Sequence, residues 1–276
     1  MADRLFRSGR TGDDRPLPKI DATVAHIARV YDYLLGGKDN FAVDRQVGDM
    51  VLEIHPETAA SVRANRAFLA RSVRHLATTE GVRQFLDVGT GLPSANNTHE
   101  VAQAAVPEAR VVYVDNDPIV LAHARALLTS SLAGETAYLD ADIRDPDTIL
   151  AGAAQVLDLS EPVAVMLVAV LHMLRDDEDP RGIVARLVSA VPSGSFLVIS
   201  HLASDVQPET MAEMGRRLNE SMTQQFTMRT RDEVTGFFDG LRLLDPGVVL
   251  THEWRPDTPG DSAIPGVLWA AVAQKP

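Results

Sequence analysis

An acidic residue and two glycines follow an apolar, strand-like run at residues 84–86. Asp87 ends that run, and Gly89, Thr90 and Gly91 begin two residues later. Glycine permits a tight turn and lets a ligand approach the backbone without meeting a Cβ atom. Ligands on open α/β sheets bind in the crevice outside the carboxyl ends of the strands. The segment could therefore cradle either a dinucleotide or S-adenosylmethionine.

The charge of Asp87 separates these two cofactors. A dinucleotide fingerprint follows G-x-G-x-x-G and presents a bare helix N-terminus to the pyrophosphate. Here the third glycine position holds Ser94, and Pro93 precedes it. A carboxylate at position 87 would repel a pyrophosphate, whereas it would attract the ammonium group of a methionine moiety. The pattern favours S-adenosylmethionine.

Two further carboxylates follow the next strand-like runs at similar spacing. Asp115 comes 28 residues after Asp87, at the end of the run 110–114, and Asp142 comes 27 residues later. A carboxylate at the tip of the second strand accepts hydrogen bonds from both ribose hydroxyls. A carboxylate near the third tip can accept from an adenine amino group. Three acids at three successive strand ends indicate a nucleoside-binding site more specifically than any one of these acids does alone.

The elements that must position these acids alternate between strands and helices. Strand-like runs separated by helical stretches of 10–15 residues predict right-handed crossovers and a parallel sheet with helices on both faces. A terminal hairpin is expected at 248–254 and 266–273. The predicted strands are 84–88, 110–114, 136–139, 163–168 and 196–200, and the predicted helices are 23–35, 44–52, 57–77, 96–105, 118–131, 146–156, 180–190, 208–221 and 231–240.

In these residues and their spacing, the chain resembles the class I S-adenosylmethionine-dependent methyltransferases over roughly residues 60–276. The resemblance implies a Rossmann-like α/β fold with a mostly parallel seven-stranded sheet and an antiparallel C-terminal strand. It implies that the glycine turn contacts the amino-acid part of the cofactor and that Asp115 holds the ribose. It also implies that Asp142 and Ile143 face the adenine and that Asn116 packs on it.

The fourth strand also fits this resemblance. It runs into Leu171, His172 and Met173, where small-molecule methyltransferases commonly carry an apolar-His-apolar segment beside the cofactor. The protein mainly aligns the acceptor with the sulfonium methyl, and a general base is needed only when the acceptor must lose a proton. His172 or His99 could serve as that base. The expected acceptor is a small molecule that is methylated at O or N.

The segment 28–41 is dense in groups that can bind a ligand. It resembles the signature of a largely actinomycete family of uncharacterised S-adenosyl methyltransferases, and the stretches 86–93, 97–100 and 114–118 match that family as well. A segment ahead of the first strand commonly folds over the cofactor as a lid that excludes water. The residues expected to contact ligand are Tyr31, Tyr33, Lys38, Asp39 and Asn40.

Composition limits the partners. With 38 acidic and 26 basic residues the formal net charge is −12, so the positive field that attracts nucleic acid or anionic lipid is lacking. The chain has no cysteine, which excludes thiolate metal sites and disulfides. We expect no metal, no membrane span, a cytoplasmic location and a monomer or homodimer.

The chain is expected to divide into a disordered tail at 1–19, a helical cap at 20–80 and a Rossmann-like domain at 81–276. Within that domain, a helical insertion at 200–230 should lie near the substrate pocket. Two other functions share the same residues. An NAD(P)-linked oxidoreductase would use the same turn and ribose acid, and a regulatory protein would bind S-adenosylmethionine without turning it over.

Overall fold

The apolar runs assigned to strands form one mixed sheet. The computed structural model describes residues 5–7, 21–120, 122, 133–258 and 266–276. Each of the five runs predicted ahead of the C-terminal region forms a strand at the expected place. The strands are β1 (Leu5–Arg7), β2 (Gln84–Val88), β3 (Arg110–Asp115), β4 (Glu135–Asp140), β5 (Ala164–Val168), β6 (Phe196–Leu202), β7 (Arg242–Leu243), β8 (Val249–Leu250) and β9 (Leu268–Gln274).

Strand order confirms the predicted fold class. The order is β1-β4-β3-β2-β5-β6-β9-β7, and β8 pairs with β9 beside this path. The five strands from β4 to β6 are parallel, whereas β9 runs antiparallel to β6. Seven strands from β4 to β7 thus form the expected sheet, and β1 and β8 are short additions. The order reverses between β2 and β5, and sheets of this kind bind ligands at such a switch point.

Helices cover both faces of this sheet. All residues of β2 and β5 are buried, as expected for central parallel strands. Side chains alternate between two apolar clusters, with Leu86 and Val88 on one face and Phe85 on the other. The helices are α1 (Ile27–Leu35), α2 (Ala42–Ile54), α3 (Thr58–Thr78), α4 (Thr98–Ala105), α5 (Pro146–Ala153), α6 (Pro180–Ser189), α7 (Pro208–Ser221) and α8 (Arg231–Thr235).

Several elements differ from the expected ones. Residues 118–120 and 122 are helical, and the rest of the predicted helix 118–131 lies outside the described residues. The predicted helix 231–240 ends at Thr235 and continues as a 3-10 turn through Phe238. In the predicted tail, Leu5–Arg7 pairs antiparallel with β4, so these three residues form a strand, and residues 1–4 and 8–19 lie outside the described ones.

The predicted strand 248–254 is wrong beyond Leu250. Only Val249 and Leu250 pair with β9, and the following residues form a turn. Arg71 of α3 explains the difference, because its guanidinium donates to the carbonyls of Thr251 at 2.7 Å and Trp254 at 3.0 Å. These bonds draw the chain towards α3, where the Trp254 ring packs edge-on against Phe68.

The cap consists of α1 and α2 and is closed by α7. Val30, Val47 and Val51 of the cap share a buried apolar cluster with Met211 and Met214 of α7. By contrast, α3 packs Phe68, Val73 and Leu76 among the residues of the sheet face, so it belongs to the Rossmann-like layer. Among the helices that the structure describes, none has the length and apolar composition needed to cross a bilayer.

A buried ion pair holds the start of the cap together. Asp44 is fully buried and accepts hydrogen bonds from the backbone N–H groups of His26 and Phe41. Its carboxylate also pairs with Arg29, whose Nε lies 3.1 Å away. The carboxylate therefore fixes the beginnings of both α1 and α2.

Replacing Asp44 with Asn should lower the free energy of unfolding by about 3–5 kcal/mol, because it leaves the Arg29 cation buried without its counter-ion. Urea unfolding at pH 7 measures the loss. Glu213→Gln is the control, since Glu213 pairs with Arg216 and Arg217 on an exposed helix face and its removal should cost less than about 1 kcal/mol. Equal small losses for both variants would contradict this view of the cap.

Candidate active site

A cavity of about 340 Å³ lies at the carboxyl ends of β2, β3, β4 and β5. Its volume is within the range of small-molecule sites. One wall is formed by His26, which directly precedes α1, and by Tyr31 and Leu35 of α1; residues 223–225 form part of another. The sequence-predicted binding residues on its lining are Tyr31, Asp87, Gly89, Thr90, Gly91, Asp115, Asn116, Asp142 and Ile143.

The glycine turn follows β2 and lies against β3 and the loop after β5. Gly89 has φ +75° and Gly91 has φ +66°, both in the left-handed region that favours glycine. The N–H of Gly89 donates to the carbonyl of Val114 at 2.8 Å. A Cβ at Gly89 would meet Val170 Cγ2 at 2.3 Å, whereas a Cβ at Gly91 would meet no atom within 4 Å. The second glycine thus leaves open backbone facing the cavity.

Asp87 presents a buried carboxylate to the same cavity. It is only 3% exposed, and its Oδ2 accepts a hydrogen bond from the Thr98 hydroxyl at 2.6 Å. Burial raises the pKa of Asp87 to about 6, although the Thr98 hydrogen bond and the Arg66 charge oppose the rise. No cation lies within ion-pair distance of this carboxylate among the described residues, so it is a buried acid without a counter-ion.

Asp115 holds the glycine turn from the neighbouring strand. Its Oδ2 accepts from the N–H of Gly91 at 2.8 Å, and its Oδ1 accepts from the N–H of Asp117 at 2.9 Å. Burial raises the pKa of Asp115, and these two hydrogen bonds partly offset that effect. The acid at the second strand end is therefore fixed in place by backbone donors on both sides.

Asn116 joins the second strand end to the third. Its side-chain amide donates to Asp142 Oδ2 at 2.8 Å, and Asp142 Oδ1 accepts from the N–H of Arg144 at 2.9 Å. Arg144 also pairs with Glu178 at 2.6 Å, beyond the end of β5. The predicted adenine residues Asn116, Asp142 and Ile143 are thus brought together on one side of the cavity.

The cap contacts this strand edge through His26. His26 lines the cavity, and its Nδ1 lies 2.7 Å from Oδ2 of the buried Asp117. Asp117 in turn contacts Asp115 through its backbone N–H. Further along α1, the Tyr31 hydroxyl accepts from Asn65 at 2.9 Å, and Asn65 accepts from Ser200 at 2.6 Å.

Four predicted lid residues do not reach the lining: Tyr33, Lys38, Asp39 and Asn40. Asp32 holds the loop at residues 36–41 away from the cavity, because its Oδ2 accepts hydrogen bonds from the N–H of Asp39 at 2.9 Å and from the side-chain amide of Asn40 at 2.8 Å. Tyr33 donates to Asp49 at 2.6 Å on the outer side of the cap. The polar groups of the signature segment therefore stabilise their own loop, while Asp32 and Tyr31 line the cavity.

The two histidines proposed as bases also lie off the lining. His172 is buried between Phe226 and His201, and burial, together with the charges of His201 and Arg229, holds the pKa of His172 well below its usual range. His99 is fixed at the start of α4, where its Nδ1 and backbone N–H both contact the Tyr113 hydroxyl. Each ring is thus engaged in packing or hydrogen bonding behind the cavity wall, and the placement of His172 beside the site requires correction.

Several polar residues of the lining were not predicted from the sequence, among them His26, Asn65, Arg66 and Gln224. Asn65 and Arg66 lie in the middle of α3 and Gln224 lies in an irregular segment, so no motif marks them. The helical period of 57–77 puts Asn65 and Leu69 on one face, and Arg66 lies beside them. That face could be assigned to the cavity only once α3 was placed against the sheet.

The comparisons with known proteins identify the family. A family model described as S-adenosyl methyltransferase matches residues 13–276. The chain belongs to this S-adenosyl methyltransferase family. It is a methyltransferase whose cofactor is S-adenosylmethionine, and this membership decides against the NAD(P)-linked oxidoreductase. A search of curated proteins finds no match.

Two solved structures are similar over nearly the whole chain. A DUF574 family protein from Streptomyces avermitilis is 42% identical, with a TM-score of 0.91 over 94% of this chain and 100% of that one. A protein from Thermobifida fusca is 41% identical, with a TM-score of 0.84 over 91% of this chain and 95% of that one. A family 2 O-methyltransferase from Planctomyces limnophilus, at 16% identity and a TM-score of 0.50 over 90% of this chain and 65% of that one, shares the fold alone.

The residues present fit this cofactor. The turn at Gly91 has open space where a side chain would stand, and the buried Asp87 carboxylate has no cationic partner among the described residues. A cofactor with a protonated amino group would supply that partner. The acids at the second and third strand ends lie on the same cavity and offer oxygen acceptors to hydroxyl and amino donors.

Gly89→Ala and Gly91→Ala should differ in stability. Both changes place a Cβ at positive φ, which costs about 1–2 kcal/mol, but only Gly89→Ala also forces Val170 to move, which adds about 1–3 kcal/mol. Thermal unfolding of the ligand-free proteins should therefore give a larger loss for Gly89→Ala. A loss at Gly91 equal to that at Gly89 would show that the contact with Val170 is not the deciding one.

Proposed function

We propose that this enzyme transfers the methyl group of S-adenosylmethionine to an oxygen or nitrogen atom of a small molecule. The observation that carries the proposal is the cavity of about 340 Å³, which the strand ends share with α1 and with residues 223–225. A site walled on these sides suits a compact acceptor. The net charge of −12 also gives the protein no attraction for nucleic acid.

In this proposal, each strand end binds a different part of the cofactor. Asp87 binds the ammonium group, and the turn from Gly89 to Gly91 lies along the amino-acid chain. Asp115 accepts from the ribose hydroxyls, which its burial and its fixed position between two backbone donors support. The adenine lies against the group Asn116, Asp142 and Ile143.

When bound, the cofactor supplies a methyl group made electrophilic by the sulfonium sulfur. The chain then has to orient the acceptor and exclude water. Tyr31 of α1 and Asn65 of α3 present a hydrogen-bonded pair of polar side chains on the cavity lining. His26 is held by Asp117 and attaches the cap to the strand edge, so the cap and the cofactor acids are positioned together. His99 is bound to Tyr113, burial holds the pKa of His172 well below its usual range, and neither lines the cavity, so neither is assigned as the base in this proposal.

Incubation with methyl-labelled S-adenosylmethionine and a panel of small phenols, alcohols and amines tests the proposal. We expect S-adenosylhomocysteine to form only with some panel members, with the label on their oxygen or nitrogen. Transfer of label exclusively to added protein or nucleic acid would contradict a small-molecule acceptor. Binding of the cofactor without turnover of any acceptor would instead favour a regulatory role.

Asp115→Ala should weaken S-adenosylhomocysteine binding by about 1.5–3 kcal/mol, the range for hydrogen bonds to a charged group. Titration calorimetry at constant pH measures the change. Asp147→Ala is the matched control, because Asp147 pairs with Arg186 at the exposed start of α5 and does not line the cavity. Unchanged affinity in a folded Asp115→Ala protein would show that this acid does not hold the ribose.

Affinity for S-adenosylhomocysteine should fall as the pH falls through about 6. Asp87 must be ionised to bind an ammonium group, and the pKa of Asp87 in the free protein is raised to about 6. Below that pH a proton must leave on binding, so affinity decreases by up to about tenfold per pH unit. Between pH 5 and 7 the ligand ammonium keeps its charge. Calorimetry across this range should show the slope, and Asp87→Asn should reduce it; equal slopes in both proteins would overturn the assignment.

A further inference from the structure

Arg66 occupies the same end of the cavity as Asp87. It belongs to α3 and lines the cavity, and its charge lowers the pKa of Asp87 and of Tyr31. Its Nη2 donates to the carbonyls of Ala95 and Asn96, both at 3.2 Å. The guanidinium is thus fixed on the loop that follows the glycine turn.

Only one of the three guanidinium nitrogens is used in this way. Nη2 carries these bonds and a longer one to Asn97, whereas Nη1 and the buried Nε donate to no partner in the described part of the chain. No carboxylate in that part lies within ion-pair distance of Arg66. A guanidinium offers five N–H donors in a planar fork, and a cation left without an anion in a partly buried site is unfavourable.

An unpaired cation and an unpaired buried carboxylate therefore face one cavity end without pairing with each other. An α-amino acid group carries the complementary charges, with its ammonium and carboxylate on the same carbon. A molecule with that group can satisfy both residues at once, whereas a simple anion would leave Asp87 unpaired. The glycine turn between them provides the open backbone beside which such a group can lie.

We propose that Arg66 binds the carboxylate of the cofactor's amino-acid end, so that Arg66 and Asp87 together recognise its zwitterion. This inference rests on the proposed use of Asp87 for the ammonium group. It assigns to Arg66 a binding role beyond the structural one of tying α3 to residues 95–97. Arg66 is also the link by which the cofactor would stabilise the packing of α3 against the glycine-turn loop.

Two ligands and two variants separate these roles. The ligands are S-adenosylhomocysteine and its decarboxylated form, which keeps the nucleoside and the amine but lacks the carboxylate. Arg66→Gln should weaken S-adenosylhomocysteine binding about 10–100-fold, yet change binding of the decarboxylated ligand less than about threefold. Arg66→Lys keeps the charge and should restore part of the affinity for S-adenosylhomocysteine only. Arg63→Gln, an exposed change one turn earlier on α3, is the control and should affect neither ligand.

Calorimetry with a thermal unfolding scan of each variant gives the outcome. Equal losses of affinity for both ligands would show that Arg66 has only a structural role. This result would overturn the inference and leave the proposed function intact. Unchanged binding of S-adenosylhomocysteine by Arg66→Gln would overturn it in the same way. Should Arg66→Gln not fold, the ligand preference of Arg66→Lys decides, since a purely structural lysine would not favour the carboxylate. Failure of the unaltered protein to bind S-adenosylhomocysteine would contradict the proposed function itself.

Discussion

The buried carboxylate of Asp87 is the interaction on which the rest of the site depends. It stands at the buried end of the central strand β2, where the Thr98 hydroxyl and the charge of Arg66 only partly compensate for the loss of water. Because burial raises the pKa of Asp87 to about 6, the ionised form lowers the stability of the ligand-free fold at neutral pH; this cost decreases as the pH falls below about 6 and is gone below about 4, the pKa of an aspartate in an unfolded chain. A protonated amino group from a ligand removes the same cost. The fold thus keeps a strained group that a cofactor can relieve.

The neighbouring elements surround the Asp87 carboxylate and hold the turn and the cap beside it. The positive φ of Gly89 turns the chain away from β2, and Asp115 holds the end of the turn through the Gly91 N–H. The ion pair of Asp44 fixes the cap, and His26 attaches the cap to the same strand edge through Asp117. The cap and the strand-end acids that line the cavity are therefore joined by direct contacts.

The sequence was sufficient to predict the parallel strands, the doubly wound fold and the position of three acids at successive strand ends, because these follow from apolar runs of fixed length and from the geometry of strand ends; that the acids bind the cofactor stays a proposal. The prediction was wrong on the strand at 251–254, since the Arg71 bonds that turn this segment join residues about 180 positions apart. It also assigned His172 to the site, although only the three-dimensional packing of Phe226 and His201 shows that this ring lies behind the wall. The loop at 36–41 was expected to contact ligand, but its polar groups bind Asp32 within the cap, and this contact also depends on the three-dimensional fold.

The pKa of the Asp87 carboxyl, followed by carbon-13 NMR in protein labelled at aspartate, tests the central role of this group most directly. In the ligand-free protein the carboxyl resonance should titrate near pH 6. Saturation with S-adenosylhomocysteine should move that titration below about 4, because the ammonium group favours the ionised form. A carboxyl that titrates at the same pH with and without the ligand would contradict the assignment of Asp87 as its ammonium partner.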